Sequence, residues 1–375
     1  MDLRSLFSTK GTTVVLASAT AAALLLSACG SKKSDSGTPA GNGGGSGSSS
    51  TTGSASNTNF KACMVTDTGG IDDKSFNAAA WAGMQQAQTD GKATVSYVQS
   101  KQETDYATNI SSLLNQNCKL IVTVGGLMAD ATVAAAKANP SQHFVEVDSA
   151  GNGTNLQGLQ FNTAQAGFLA GYLAAGYSKT GKVATYGGLK IPPVTVYMDG
   201  FQEGVQYYNT QKSKSVQVIG WDEKAQNGSF AASFTDQNKG QQLATNFVNQ
   251  GADVIFPVAG GTGLGSAAYA KSSGKATVIW VDTDGFVSAP QYGSVFLTTA
   301  EKNIAAAVTK SVEDAAGGNF ATTDYVGTLA NDGTGLAPFH DFDGKIDSTL
   351  KSELDQVKAD ITSGKIKITS PSQPK

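Results

Sequence analysis

The chain has 375 residues, 27 basic and 30 acidic side chains, a net charge of −3 and two histidines. Charges so nearly balanced, with no basic stripe, exclude nucleic-acid binding through phosphate neutralisation. His143 and His340 are far apart and no GxSxG, HExxH or P-loop pattern occurs, so neither an enzyme nor a metal or cofactor site is expected.

The N-terminus reads as a targeting segment. Arg4 and Lys10 give a positive start, Val14 to Leu26 an apolar stretch, and Leu26-Ser27-Ala28-Cys29 a lipobox. The apolar run is too short to span a bilayer of roughly 30 Å and has signal-peptide flanks. Cleavage after residue 28 leaves Cys29 to carry the lipid; an ordinary secretory signal is the alternative. Residues 29–57 are dominated by Ser, Gly, Thr, Asn and Lys, which cannot bury a core and read as a tether. The expected location is the outer face of a bacterial cell membrane, with the lipid as the only membrane contact.

About 315 residues remain, room for two domains. Strands are expected at Lys61–Val65, Thr94–Gln99, Leu120–Val124 and Phe144–Val147, with helices at Ser75–Gln88, Asp105–Asn115 and Ala129–Lys137 between them. The alternation then restarts. Helices at Ala164–Gly176, Val196–Tyr207 and Lys239–Gln250 separate strands at Lys182–Tyr186, Val216–Ile219, Val254–Val258 and Thr277–Val281. Strand–helix alternation with Gly-rich turns implies parallel sheets, hence an α/β fold of two doubly wound lobes. In a sheet ordered 2-1-3, the strands near Cys63 and Cys118 are neighbours. A disulfide between them is expected, two buried thiols being the alternative; the bridge would close about 55 residues and stabilise by roughly 4 kcal/mol.

The most informative stretch is TDTGGIDDKSFN, Thr66 to Asn77, which joins the first strand to the first helix. Polar groups at the carboxyl end of a first strand are where open α/β sheets bind ligands. Three carboxylates there repel phosphate and suit a flat, polar-edged small molecule; the acids lack the DxDxDG spacing of a calcium loop. Further along come AGFLAGYLAA (166–175), DGFQEGV (199–205), GADVIFPVAGGTGLG (251–265) and VDTDG (281–285). Gly260 to Gly265 mimics a dinucleotide fingerprint, but Ser266 stands in the slot of its third glycine.

Taken in this order, the motifs resemble the basic membrane protein family of lipoproteins, similar to purine nucleoside receptors of ATP-binding-cassette importers. The resemblance covers roughly residues 60 to 345. It implies a type I periplasmic-binding fold with crossovers near 162, 297 and 318. Lobe one would hold residues 58–162 and 297–318, and lobe two 163–296 and 319–368.

The resemblance also assigns roles. Phe76, by itself an ordinary packing residue, becomes one face of a base-stacking slot, with Phe230 or Phe234 as the second face and Phe230 slightly preferred. Asp67 and Asn77 meet the base edge, while Asp73 suits a helix cap. Gly260 and Gly261 let the ligand approach closely. Asp148 and Asp282 end a strand in each lobe and face the ligand, Asp282 towards the ribose, and Lys302 reaches the same sugar. Val124-Gly125-Gly126-Leu127 departs from a Gly-Phe pair common in relatives, so one aromatic wall is not expected. The implied protein is a monomeric substrate-binding component that delivers a nucleoside, expected to be a purine one, to permease and ATPase subunits. A sugar receptor or a surface sensor of the same fold is the alternative.

Overall fold

The computed structural model describes residues 59–374. The expected signal sequence (1–28), the tether (29–57) and the lipidated Cys29 lie outside the described residues.

Runs such as LIVTV and VIFPV are buried along their whole length, as strands covered by helices on both faces must be. The first sheet contains β1 Lys61–Thr66, β2 Thr94–Gln99, β3 Leu120–Val124, β4 His143–Val147 and β5 Leu156–Phe161. The second contains β6 Lys182–Gly187, β7 Gln217–Ile219, β10 Val254–Val258, β11 Thr277–Asp282, β12 Phe296–Lys302 and β14 Thr334–Leu336; β8 Trp221–Asp222 and β9 Asn227–Gly228 make a small hairpin. The remaining strand, β13 Tyr325–Gly327, returns to the first sheet. The orders are β13-β5-β4-β3-β1-β2 and β14-β12-β11-β10-β6-β7. All pairings in the two large sheets are parallel except β12 with β14.

The intervening helices are α1 Phe76–Thr89, α2 Tyr106–Asn115, α3 Ala129–Ala138, α4 Ala164–Tyr177, α5 Pro192–Lys212, α6 Gln237–Asn249, α7 Gly263–Ser273, α8 Gly285–Ser288, α9 Ile304–Ala316 and α10 Ser348–Thr362. Among the described residues no helix is long and apolar enough to cross a membrane.

The two lobes form as the alternation implied, and the chain first crosses near 162 as expected, between β5 and α4, but the two later crossings fall elsewhere. Residues 296–302 are not in the first lobe: β12 pairs with β11 in the second sheet, Ile279 opposite Thr298. The return begins after it, with α9 packed on α1 and Thr309 Oγ1 donating to the Gly83 carbonyl at 3.0 Å. It ends beyond 318, because Tyr325–Gly327 pairs with Leu159–Phe161. Strand pairing between residues far apart in sequence sets these crossings, so no local signal marks them.

Two of the sequence motifs prove to be packing devices. AGFLAGYLAA lies on α4 and DGFQEGV on α5, and these helices touch backbone to backbone. A Cβ on Gly171 would overlap the Phe201 backbone, and one on Gly204 that of Phe168. Cys63 and Cys118 are disulfide-bonded, with Cα atoms 5.8 Å apart. Both are buried beneath α2, away from the strand ends that form the cleft.

Candidate ligand-binding site

The carboxyl ends of parallel strands from both lobes converge on one cavity, the position open α/β sheets use for ligands. The first lobe contributes Asp67 and Gly69 after β1, Asp73 before α1, Phe76 and Asn77 on its first turn, Gly125 and Gly126 after β3, and Asp148 after β4. The second contributes Tyr197 on α5, Phe234 ahead of α6, Gly260 after β10, Asp282 ending β11 and Lys302 ending β12. The volume open to water centres is about 60 Å³, a narrow slot.

On the first lobe the acids are held by local hydrogen bonds. Asp67 Oδ1 accepts from the Gly69 amide at 2.8 Å and from Asn77 Nδ2 at 2.8 Å. Asp73 caps α1, accepting from the amides of Ser75, Asn77 and Ala78 at 3.0, 2.8 and 3.1 Å. The Asn77 amino group is thus committed to carboxylates, whereas its buried Oδ1 has no partner. Gly125, at φ +119°, leaves room for Asp67: a Cβ there would stand 2.8 Å from its Oδ2.

Asp148 and Asp282 share a conformation. Both have left-handed backbones, φ +74° and +69°, which non-glycine residues adopt at a cost of about 1–3 kcal/mol. Two strands in two lobes end in the same strained turn, each aiming a carboxylate into the cleft. Lys302 Nζ donates to Asp148 at 2.9 and 2.8 Å. It also lies 5.0 Å from the centroid of the Phe76 ring, 5.7 Å from Phe161 and 5.6 Å from Tyr197. The Tyr197 hydroxyl lies 3.2 Å from Asp282 Oδ1 and 3.3 Å from the Ala300 carbonyl, both of them acceptors for it.

Burial dominates the electrostatics. It raises the Asp67 carboxyl to about 6 against the bonds from Asn77 and Gly69, and that of Asp282 to about 7 against the attraction of Lys302. Asp73 and Asp148 are raised for the same reason. Behind them Glu146, fully buried and bonded by the Thr123 hydroxyl, is pushed up to about 8. Among the described residues Lys302 is the one cation lining the cavity.

The sequence-derived residues separate here. Asp67, Phe76, Asn77, Asp148, Gly260, Asp282 and Lys302 line the cavity. Gly261 lies beside it, where an added Cβ would stand 3.2 Å from the Phe234 carbonyl oxygen and 3.8 Å from Asp73. Phe230 does not line it; its ring packs edge-on against Trp221, centroids 5.9 Å apart, and beside Gly187. Phe234, four residues on, lines the cavity together with Tyr197. Tyr197 carried no signal beyond helix periodicity, and Pro193 and Val194 fell ahead of the expected helix, which in fact begins at Pro192. Trp280, read only as a strand residue, ties the second lobe to the first by donating to the Lys74 carbonyl at 3.2 Å.

Residues 60–369 match the family model described as ABC transporter substrate-binding protein PnrA-like (Bmp). The chain belongs to this family. The family is one of substrate-binding proteins rather than enzymes. The CD4+ T-cell-stimulating antigen of Listeria monocytogenes is 33% identical over 336 residues, 84% of this chain and 89% of that protein. The ABC transporter nucleoside-binding protein BmpA of Lactococcus lactis subsp. cremoris is 31% identical, covering 84% and 90%. Among solved structures, an ABC solute-binding protein of Aeropyrum pernix K1 superposes with a TM-score of 0.75 at 22% identity, covering 83% of this chain and 94% of that one. A transcriptional activator of the comK gene from Bacillus halodurans superposes at 0.65 and 19% identity, covering 83% and 99%. The two-lobed type I fold therefore serves receptors and a regulator alike, so the Bmp/PnrA-like chain's role has to be argued from its cleft.

Proposed function

We propose that this member of the family binds a nucleoside with a purine base in the interlobe cleft, for delivery to permease and ATPase subunits. The observation that carries the reading is that both lobes bring aromatic rings to one slot, Phe76 from the first and Phe234 and Tyr197 from the second, beside the first-lobe acceptors Asp67 and Asn77 Oδ1. A planar base fills such a slot, and stacking contributes about 1–3 kcal/mol per base. The acceptors Asp67 and Asn77 Oδ1 select a base edge that donates, as ring N–H and exocyclic amino groups do. Asp282, with Asp148 and Lys302 beside it, takes the sugar hydroxyls through charge-assisted bonds about twice as strong as neutral ones. The Lactococcus relative, described as nucleoside-binding, supports the same reading. Cys29 carries a lipid that holds the monomeric receptor at the outer face of the cell membrane.

Thermal-shift screening and calorimetry test this. Inosine, guanosine or adenosine should raise the melting temperature while free pentoses do not. A response to a pentose alone would replace the nucleoside by a sugar.

A further inference from the structure

A second cavity adjoins the first. Its volume on the same measure is about 430 Å³, far larger than the slot, and Gly126, Asp148, Ile191, Pro193 and Lys302 line both. The two spaces therefore meet along the Asp148–Lys302 pair, which borders both. Away from that border, Phe161, Pro192 and Val196 give it apolar surface, interspersed with Ser149, Gln160 and Thr163. The C-terminal tail roofs it: Ser372, Gln373 and Pro374 line the space, fixed by the 2.8 Å contact of Ser372 Oγ with Thr195 Oγ1 and by Asn162 Nδ2 donating to Gln373 Oε1 at 2.9 Å.

The charges in this space are already matched or negative. Lys302 is held by both oxygens of Asp148. Asp324 is occupied by the amides of Gly151 and Gly158, each at 2.9 Å, and by Gln160 Nε2 at 3.2 Å. No lining cation is left over among the described residues, so a phosphate entering here would meet two carboxylates and no free cation, with hydroxyls such as Thr163 Oγ1 as its only open donors. An uncharged group would meet the apolar surface of Phe161, Pro192 and Val196.

Resting on the nucleoside reading, with the sugar at Asp148 and Lys302, we propose that the second cavity extends the binding site beyond the sugar. It accepts neutral substituents on the sugar's exocyclic carbon and rejects a phosphate there. The receptor's substrate class then includes nucleosides bearing an uncharged 5′ extension, such as a thioether.

Calorimetry with adenosine, 5′-deoxy-5′-methylthioadenosine and adenosine 5′-monophosphate tests the extension. The thioether should bind within about threefold of adenosine, and the monophosphate should lose about a hundredfold or more. Ala150 lines only the second cavity and is exposed. Ala150→Trp, with an unchanged melting temperature, should weaken the thioether by about tenfold or more and leave adenosine alone. Adenosine binding with rejection of the thioether, or with tight binding of the monophosphate, would overturn the extension and leave the nucleoside reading intact. Failure of adenosine and every other nucleoside to bind would overturn the nucleoside reading, and the extension with it.

Discussion

Lys302 Nζ sits 2.8 Å from Asp148 Oδ2, a contact made across the two lobes. The lysine ends β12 of the second sheet; the aspartate follows β4 of the first. Their side chains are 3% and 7% exposed, so neither charge is solvated and each depends on the other. The pair neutralises one of the four aspartates lining the slot, leaving Asp67, Asp73 and Asp282 as a surplus of buried negative charge.

Removing one partner of a buried pair strands the other charge, at a cost of about 3–5 kcal/mol. Lys302→Met should lower unfolding stability at pH 7 by about that much in urea titration, and adding Asp148→Asn should recover most of it. The single variant's deficit should shrink at pH 5, where the raised Asp148 carboxyl takes up a proton more readily. Equal losses in single and double variants would show that the pair's packing, not its charge, is what counts.

The ligand-free protein should lose stability as pH rises. An acid whose folded pKa lies above its unfolded one binds more protons when folded, so its contribution is whole below the unfolded pKa and lost as pH passes the folded one. For Asp67, Asp282 and Glu146 that loss spans from about 4 up to about 6, 7 and 8 respectively. Urea midpoints measured from pH 4.5 to 8 should fall steadily. Nucleoside affinity should move the other way, because donors on the ligand favour ionised carboxylates. Binding at pH 6 should therefore release protons, visible as buffer-dependent heats.

Phe76→Ala and Phe234→Ala should each weaken nucleoside and free base alike by about 1–3 kcal/mol. Phe230→Ala should instead cost stability, since its ring packs on Trp221. Asp282→Asn should weaken the nucleoside and spare the free base, which has no diol. Affinities within about twofold for both slot variants would remove the stacking assignment.

Trp280→Phe keeps a ring in the strand but removes the N–H that reaches the Lys74 carbonyl on the other lobe. One hydrogen bond contributes about 0.5–1.5 kcal/mol net, so closure should weaken and affinity fall by about two- to tenfold. Titration calorimetry checks it; unchanged affinity would mean that the bond does not select the closed form.

The local code is readable where an element is defined by its own composition. Leu120–Val124 and Val254–Val258 are apolar throughout because both faces are covered, and sequence and structure agree on them to the residue. β5 was missed, since LQGLQF interrupts its apolar residues with Gly158 and two glutamines; Gln157 is held by Ser311 of α9 and Gln160 by Asp324. β12 was missed for a like reason. Its polar residues Thr298, Thr299 and Lys302 are buried against partners from distant segments: Ala337, Gly285 and Asp148.

Sequence alone determined the alternating α/β architecture, the family resemblance and the acids at the ends of β1, β4 and β11. Strand ends and the residues after them are local features. Tertiary structure decided the two later lobe crossings, the choice of Phe234 over Phe230, the partner of Lys302 and the role of Tyr197. Each of those depends on which surfaces meet after folding. Phe230 and Phe234 lie four residues apart on one loop, and only the packing of Trp221 against the first leaves the second to face the cleft.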